Sequence, residues 1–253
     1  MNREPLGRRS QFLTVSVVVP TLNEAGHVGA ALASVARQPG PVEALVVDGG
    51  SADGTAGAAR VALPEAVVLD APRGRAAQMN VGAARATGEV LLFLHADTRL
   101  PDGALDAVRA ALADPAVAGG CFRITFDDGG PAGGPAFGPV GRRLMRLWEA
   151  RLWMRWGRLA FGDRALFARR AVFRDAGGFP DQPIFEDLDL VRALREWGRF
   201  VFLDAAVVTS ARRFRTNGAL GQQARNLALW LGWNAGVRPA RLKRFYSDRR
   251  EDV

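Results

Sequence analysis

Several acidic side chains stand just past short apolar runs, where a carboxylate can meet a ligand. Leu13–Val19 runs into Pro20-Thr21-Leu22-Asn23-Glu24, Ala44–Val47 into Asp48-Gly49-Gly50-Ser51-Ala52-Asp53, and Val90–Leu94 into His95-Ala96-Asp97. Asp97 has the right chemistry for a hard divalent cation, Mg²⁺ or Mn²⁺, whose other oxygens a diphosphate can supply. His95 is a second candidate ligand, or a packed imidazole. Arg73 and Arg75 precede a helical stretch containing Gln78 and Asn80, and cations at a helix amino end favour a diphosphate. Arg212 and Arg213 offer guanidinium forks that match phosphate oxygens, or form a basic surface strip. Glu186-Asp187 opens another helical stretch. The pair can serve as a general base and its neighbour, or can complement the helix amino end.

Phosphate loops built on glycine are missing. The turn after the first apolar run contains no G-x-G-x-x-G, and no G-x-x-x-x-G-K-[ST] occurs in the chain. Nicotinamide dehydrogenases and P-loop enzymes are thereby disfavoured.

The elements that must hold these residues follow from hydrophobic spacing. Leu13–Val19, Ala44–Val47, Val67–Leu69 and Val90–Leu94 read as strands. Glu24–Arg37, Thr55–Val61, Ala76–Ala86 and Leu105–Leu112 read as helices, with Ser51 and Asp53 available to cap the second. Alternation of this kind predicts an α/β fold, with a mostly parallel sheet and helices on both faces. Ligands of such sheets sit at the carboxyl ends of the strands. Beyond residue 115 the reading is a strand over Cys121–Phe126, a Gly/Pro-rich loop over Asp127–Gly141 and a helix over Arg142–Arg158. A helix over Phe185–Trp197, an extended stretch over Phe200–Val208 and a helix over Ala219–Gly236 follow. The expectation is a single domain, residues 13–115 forming one half and 116–246 an acceptor or lid half.

Composition narrows the class. The chain has 253 residues, 48% of them hydrophobic, and a formal charge of +8 carried mostly by arginine. That suffices for one large core and disfavours disorder. A basic surface attracts phosphates, anionic lipids or nucleic acid. No helix-turn-helix, RNP or zinc motif supports a nucleic-acid partner. The single cysteine, Cys121, excludes an internal disulfide and is expected to be a small buried residue. Without a secretory signal or an apolar run of about 18 residues, the expected location is cytoplasmic. Trp148, Trp153, Trp156, Trp197, Trp230 and Trp233 are expected mostly in the core, with peripheral membrane contact as the alternative.

Taken in order, Val17–Glu24, Val47–Thr55, Leu94–Asp97, Gly162-Asp163, Phe185–Leu190 and Thr209–Phe214 resemble the motifs of family 2 glycosyltransferases with the GT-A fold. The likeness covers roughly residues 13–246, and six motifs in the right order make chance resemblance very small. Leu94–Thr98 and Ser210–Arg213 look most like a bacterial subgroup labelled arsenosugar-biosynthesis glycosyltransferases. The resemblance implies a nucleotide-diphosphate sugar as donor and a hydroxyl acceptor of small-molecule, lipid or glycan type. It implies that Asp48 reads a pyrimidine N3–H, flanked by the backbone of Pro20, Thr21, Asn23 and Glu24, with Ser51 nearby. It makes Asp187 the base of an inverting transfer, Glu186 the neighbour that shapes the site, and Asp189 a residue of the helix exterior or a supporting pair. The family pattern has an acid two places before the metal-binding Asp; His95 stands there instead. A sugar nucleotidyltransferase, a basic nucleic-acid-binding protein and an inactive scaffold are the competing readings.

Overall fold

The computed structural model describes residues 13–127, 162–212, 214 and 218–245. The predicted helix over Arg142–Arg158, with Trp148, Trp153 and Trp156, lies outside these residues, as does Arg213.

Four strands, β1 (Val15–Thr21), β2 (Val42–Asp48), β3 (Val67–Asp70) and β4 (Val90–Phe93), alternate with helices α1 (Ala25–Ala36), α2 (Thr55–Ala62) and α3 (Arg75–Arg85). Each boundary lies within two residues of the one predicted. All seven residues of β1 are buried, the expected state of a central strand covered on both faces. Side-chain alternation sends Val15, Val17 and Val19 into one core with α1, α2 and α4 (Ala104–Ala111), whereas Val18 enters a second core with α3. Helices therefore cover both faces, as predicted. α3 lies so close to the sheet that a Cβ on Gly82 would stand 2.4 Å from Val18 Cγ1.

The remaining elements are β5 (Thr98–Arg99), β6 (Val117–Asp127), β7 (Leu166–Arg169), α5 (Arg170–Asp175), α6 (Glu186–Trp197), β8 (Arg199–Ser210), α7 (Ala219–Asn234) and α8 (Pro239–Lys243). Eight strands form one sheet in the order β3-β2-β1-β4-β7-β6-β8-β5. β3, β2, β1 and β4 are mutually parallel, and β6 is parallel to β8. β7 runs antiparallel to both β4 and β6, and β5 is antiparallel to β8. β5, β7, α5 and α8 are not predicted from spacing, because two to six residues are too few to show a period. Cys121 is buried in β6, as expected. Burial pushes its thiol up to about 12.

Candidate active site at the carboxyl ends of the strands

β1 lies between β2 and β4, so the connections after β1 and β2 leave the sheet side by side. Asp48 ends β2. One oxygen, Oδ1, accepts hydrogen bonds from the hydroxyls of Thr21, at 3.0 Å, and Ser51; Oδ2 accepts them from the backbone N–H of Gly50 at 3.2 Å and Ser51 at 2.8 Å. Four donors engage both oxygens, so Asp48 organises the turn from within. Ser51 does not cap α2, contrary to expectation: its hydroxyl accepts the Asn23 N–H at 2.9 Å. Asp53 does cap. It receives Thr55 N–H at 3.0 Å and also Ala25 N–H at 3.0 Å, serving α2 and α1 together. Burial raises the Asp53 carboxyl, but these bonds and the Thr55 hydroxyl hold it below its ordinary value.

Beneath this turn, the Gln78 amide on α3 donates to Thr21 O at 2.6 Å and Val47 O at 2.8 Å, binding the ends of β1 and β2 together. Asn23 adopts φ 53°, a left-handed conformation rare outside glycine. Its side-chain oxygen accepts the Ala52 N–H at 3.0 Å. Pro20 and Thr21 belong to the end of β1 itself. Thr21, Asn23, Asp48 and Ser51 thus form one hydrogen-bonded unit.

A second group forms around Arg212, just past the end of β8. Its Nη2 donates to Glu24 Oε1 at 3.1 Å and to Asp97 Oδ2 at 3.4 Å. Glu24 is almost wholly buried and also faces His27 Nδ1 at 3.1 Å. One guanidinium therefore joins the turn after β1 to the loop after β4. Asp97 keeps some exposure, and its backbone carbonyl accepts the Ser210 N–H at 3.1 Å. His95 is half-buried in the same loop, where its carbonyl accepts the Thr98 N–H at 2.9 Å.

The third group lies at the start of α6. Arg75, the first residue of α3, pairs with Glu186 at 3.0 Å, and the Glu186 side chain is 3% exposed. Glu186 Oε2 is buried and, among the described residues, accepts no hydrogen bond. Asp187 is buried beside it, its Oδ1 accepting the Leu188 N–H at 2.8 Å. Phe185, immediately before, adopts φ 65°; such strain clusters where a side chain must be aimed. Asp189 accepts Gln182 Nε2 at 2.8 Å and pairs with Arg192 at 3.3 Å, the supporting role expected of it. Asn80 holds the preceding turn by exchanging hydrogen bonds of 2.8 and 3.0 Å with the Phe179 backbone.

Sequence reasoning missed the partners. The resemblance implies a base-flanking role for the Glu24 backbone and says nothing of its side chain, which holds Arg212; nor does local spacing link Arg75 to Glu186, which touch. Unusual burial of a carboxylate is the signal, and it has no trace in local sequence. Among the described residues, no group of three or more His, Cys, Asp or Glu side chains gathers to hold a metal alone. Asp97 with diphosphate oxygens is a donor set that suits a hard cation.

The mixed α/β architecture with acids at the strand ends is that of a GT-A domain, the fold of its structural neighbours. Residues 16–171 match the family model described as Glycosyl transferase family 2, and the chain belongs to that family. The PGL/p-HBAD biosynthesis glycosyltransferase of Mycobacterium tuberculosis is 43% identical over 91 residues, 34% of this chain and 36% of that protein. Glycosyltransferase AglE of Haloferax volcanii is 33% identical over 128 residues, 47% of this chain and 42% of that one. The chain thus spans less than half the length of these curated relatives. Among solved structures, the mannosyltransferase PcManGT from Pyrobaculum calidifontis, in complex with GDP-Man and Mn²⁺, superposes with a TM-score of 0.60 at 23% identity, covering 86% of this chain and 65% of that one. Staphylococcus aureus TarS 1–349 in complex with UDP-GlcNAc gives 0.59 at 20% identity, covering 78% and 58%. At these identities the structural likeness speaks for the fold.

Proposed function

We propose that this chain transfers a sugar from a nucleotide-diphosphate donor to a hydroxyl acceptor, with inversion at the anomeric carbon. The observation that carries the reading is the pairing of Arg75 with Glu186 and of Arg212 with Asp97. Two guanidiniums approach the strand ends from opposite halves of the chain, and each holds a carboxylate of the predicted site. Such a pair can exchange its carboxylates for the oxygens of a diphosphate.

In this reading the turn organised by Asp48 receives the nucleoside. The Asp48 carboxylate shapes the pocket chiefly by holding Thr21, Gly50 and Ser51, and contact with a base edge requires one of the two hydroxyls to turn away. Asp97 would hold the divalent cation, with His95 as an additional ligand. Bound there, a cation neutralises charge on the departing nucleoside diphosphate. Arg75, Arg212 and Arg213 bind the diphosphate. Asp187 takes the proton of the acceptor hydroxyl as its oxygen bonds to the anomeric carbon and the bond to the diphosphate breaks. Buried beside it, Glu186 Oε2 is available to a sugar hydroxyl.

PcManGT was solved with Mn²⁺ and GDP-Man, and TarS with UDP-GlcNAc, which supports a nucleotide-sugar donor and a divalent metal here. The likeness to arsenosugar-biosynthesis enzymes rests on two short segments and assigns no acceptor. Family membership weighs against the nucleotidyltransferase, nucleic-acid-binding and scaffold readings. The test is a panel of uridine, guanosine and thymidine diphosphate sugars, with and without Mn²⁺, followed by release of nucleoside diphosphate. At least one donor should be turned over only with metal. Turnover of none, together with no thermal shift by any nucleotide, would refute the proposal.

A further inference from the structure

The outer face of α7 is apolar where solvent meets it. Ala224, Leu227, Ala228, Leu231 and Ala235 recur at helical spacing and are all exposed, Leu231 to 52%. On the opposite side, Leu229 packs with Ile184 and Leu242, and Trp233 stacks against Phe185 with ring centroids 5.5 Å apart. The amphipathic order of an ordinary surface helix is therefore broken: both sides are apolar, and among the described residues one has no cover. α8 folds back on α7, with Leu242 fitted against Gly232. Two residues past its end stands Phe245, which is 69% exposed.

Charge is distributed as unevenly as hydrophobicity. Residues 218–245 contain Arg225, Arg238, Arg241, Lys243 and Arg244, and no Asp or Glu. Arg238, Arg241 and Arg244 are exposed. We propose that the α7–α8 hairpin seats the chain on an anionic lipid surface, the leucines of α7 entering the acyl boundary and the cations of α8 meeting lipid phosphates. Apolar insertion and electrostatic attraction then act together, as in helices that lie in the interface plane. A second copy on this face would set five cations against five, and a nucleic acid would give the exposed leucines no partner. Among the described residues no helix is long and apolar enough to cross a membrane, so the contact is with the surface.

The proposal goes beyond the transfer reaction and stands without it. If the reaction holds, the seat also has a use. Ile184 and Phe185, on which the covered side of α7 rests, lead directly into Glu186 and Asp187, so the seat would fix where the segment carrying the base stands relative to the lipid.

The experiment is sedimentation of the full chain with vesicles of phosphatidylcholine alone or mixed with phosphatidylglycerol. Partitioning should be at least ~10-fold stronger on the anionic vesicles and should weaken in salt. It should fall at least ~10-fold in Leu227→Asn/Leu231→Asn and in Arg238→Ala/Arg241→Ala. These side chains are exposed, so both variants should melt near wild type and keep wild-type nucleotide affinity. Equal binding to neutral and anionic vesicles, or wild-type partitioning of either variant, overturns the proposal. So does binding to duplex DNA that the leucine variant leaves intact, or self-association that it abolishes without any vesicle binding. Failure of nucleotide binding in all forms would instead count against the transfer reaction and leave the vesicle result standing.

Discussion

Arg75 at the start of α3 lies 3.0 Å from Glu186 at the start of α6, on a carboxylate from which solvent is almost excluded. One side chain thus joins the amino-terminal half of the chain to the half that carries Asp187. Removing either partner takes away the opposite charge the other faces across this contact. Because Arg75 is about one-third exposed, water offsets part of the loss. Arg75→Ala should cost about 1–2 kcal/mol in chemical denaturation, and Glu186→Gln should recover part of it in the double variant. Additive effects would show that the two do not interact in solution.

For Asp187, base and helix-end roles give different outcomes. As a base, Asp187→Asn should lower kcat for transfer by about 10²–10⁴-fold while donor affinity and Tm stay near wild type. As a helix-end charge only, it should cost at most about 1 kcal/mol of stability and leave kcat unchanged. Transfer kinetics, calorimetry and melting on one variant separate the two.

Loss of the Asp97 carboxylate should lower turnover at least ~100-fold with the fold retained. EDTA should abolish the wild-type rate, and Mn²⁺ should restore it. Full activity in excess EDTA would remove metal from the mechanism.

Asp48→Ala strips four donors of their acceptor, two of them backbone N–H groups. Nucleoside diphosphate binding should weaken by about 1–3 kcal/mol, accompanied by a fall in Tm. Unchanged calorimetric affinity would detach the turn after β2 from the nucleotide.

Acid should loosen the turns around β1. Glu43 and Asp53 are both held below their ordinary values: burial raises each, and hydrogen bonds led by Ser16 for Glu43 and Thr55 for Asp53 overcome it. A carboxyl depressed in the fold adds stability above its unfolded pKa and loses it as pH falls through the folded one. Stability should therefore decline below about pH 4.5, from the ordinary values of 4.5 and 3.8 downward. The double variant Glu43→Gln/Asp53→Asn should show a flatter decline between pH 5 and 3 in denaturant titrations. An identical slope would exclude these two groups.

Sequence by itself determined the local half of this protein. The apolar runs ending at Pro20, Asp48 and Leu94 encode strands because burial on two faces demands unbroken β-branched and aliphatic stretches, and helical spacing encodes the covers between them. Those strands carry Thr21, Asp48, His95 and Asp97 to one edge. Their pairings came only with the tertiary structure. Arg212 meets Glu24 across 188 positions and Asp97 across 115. These contacts depend on β8 joining the sheet beyond β6, and on the four-residue β7 inserting antiparallel beside β4. Nothing in hydrophobic spacing encodes strand order, since a buried strand satisfies its pattern beside any neighbour. Nor does spacing reveal that Ser51 turns toward Asp48 and Asn23 rather than toward α2. That choice follows from the left-handed turn at Asn23, which brings its N–H within reach of the Ser51 hydroxyl once β1 and β2 lie side by side.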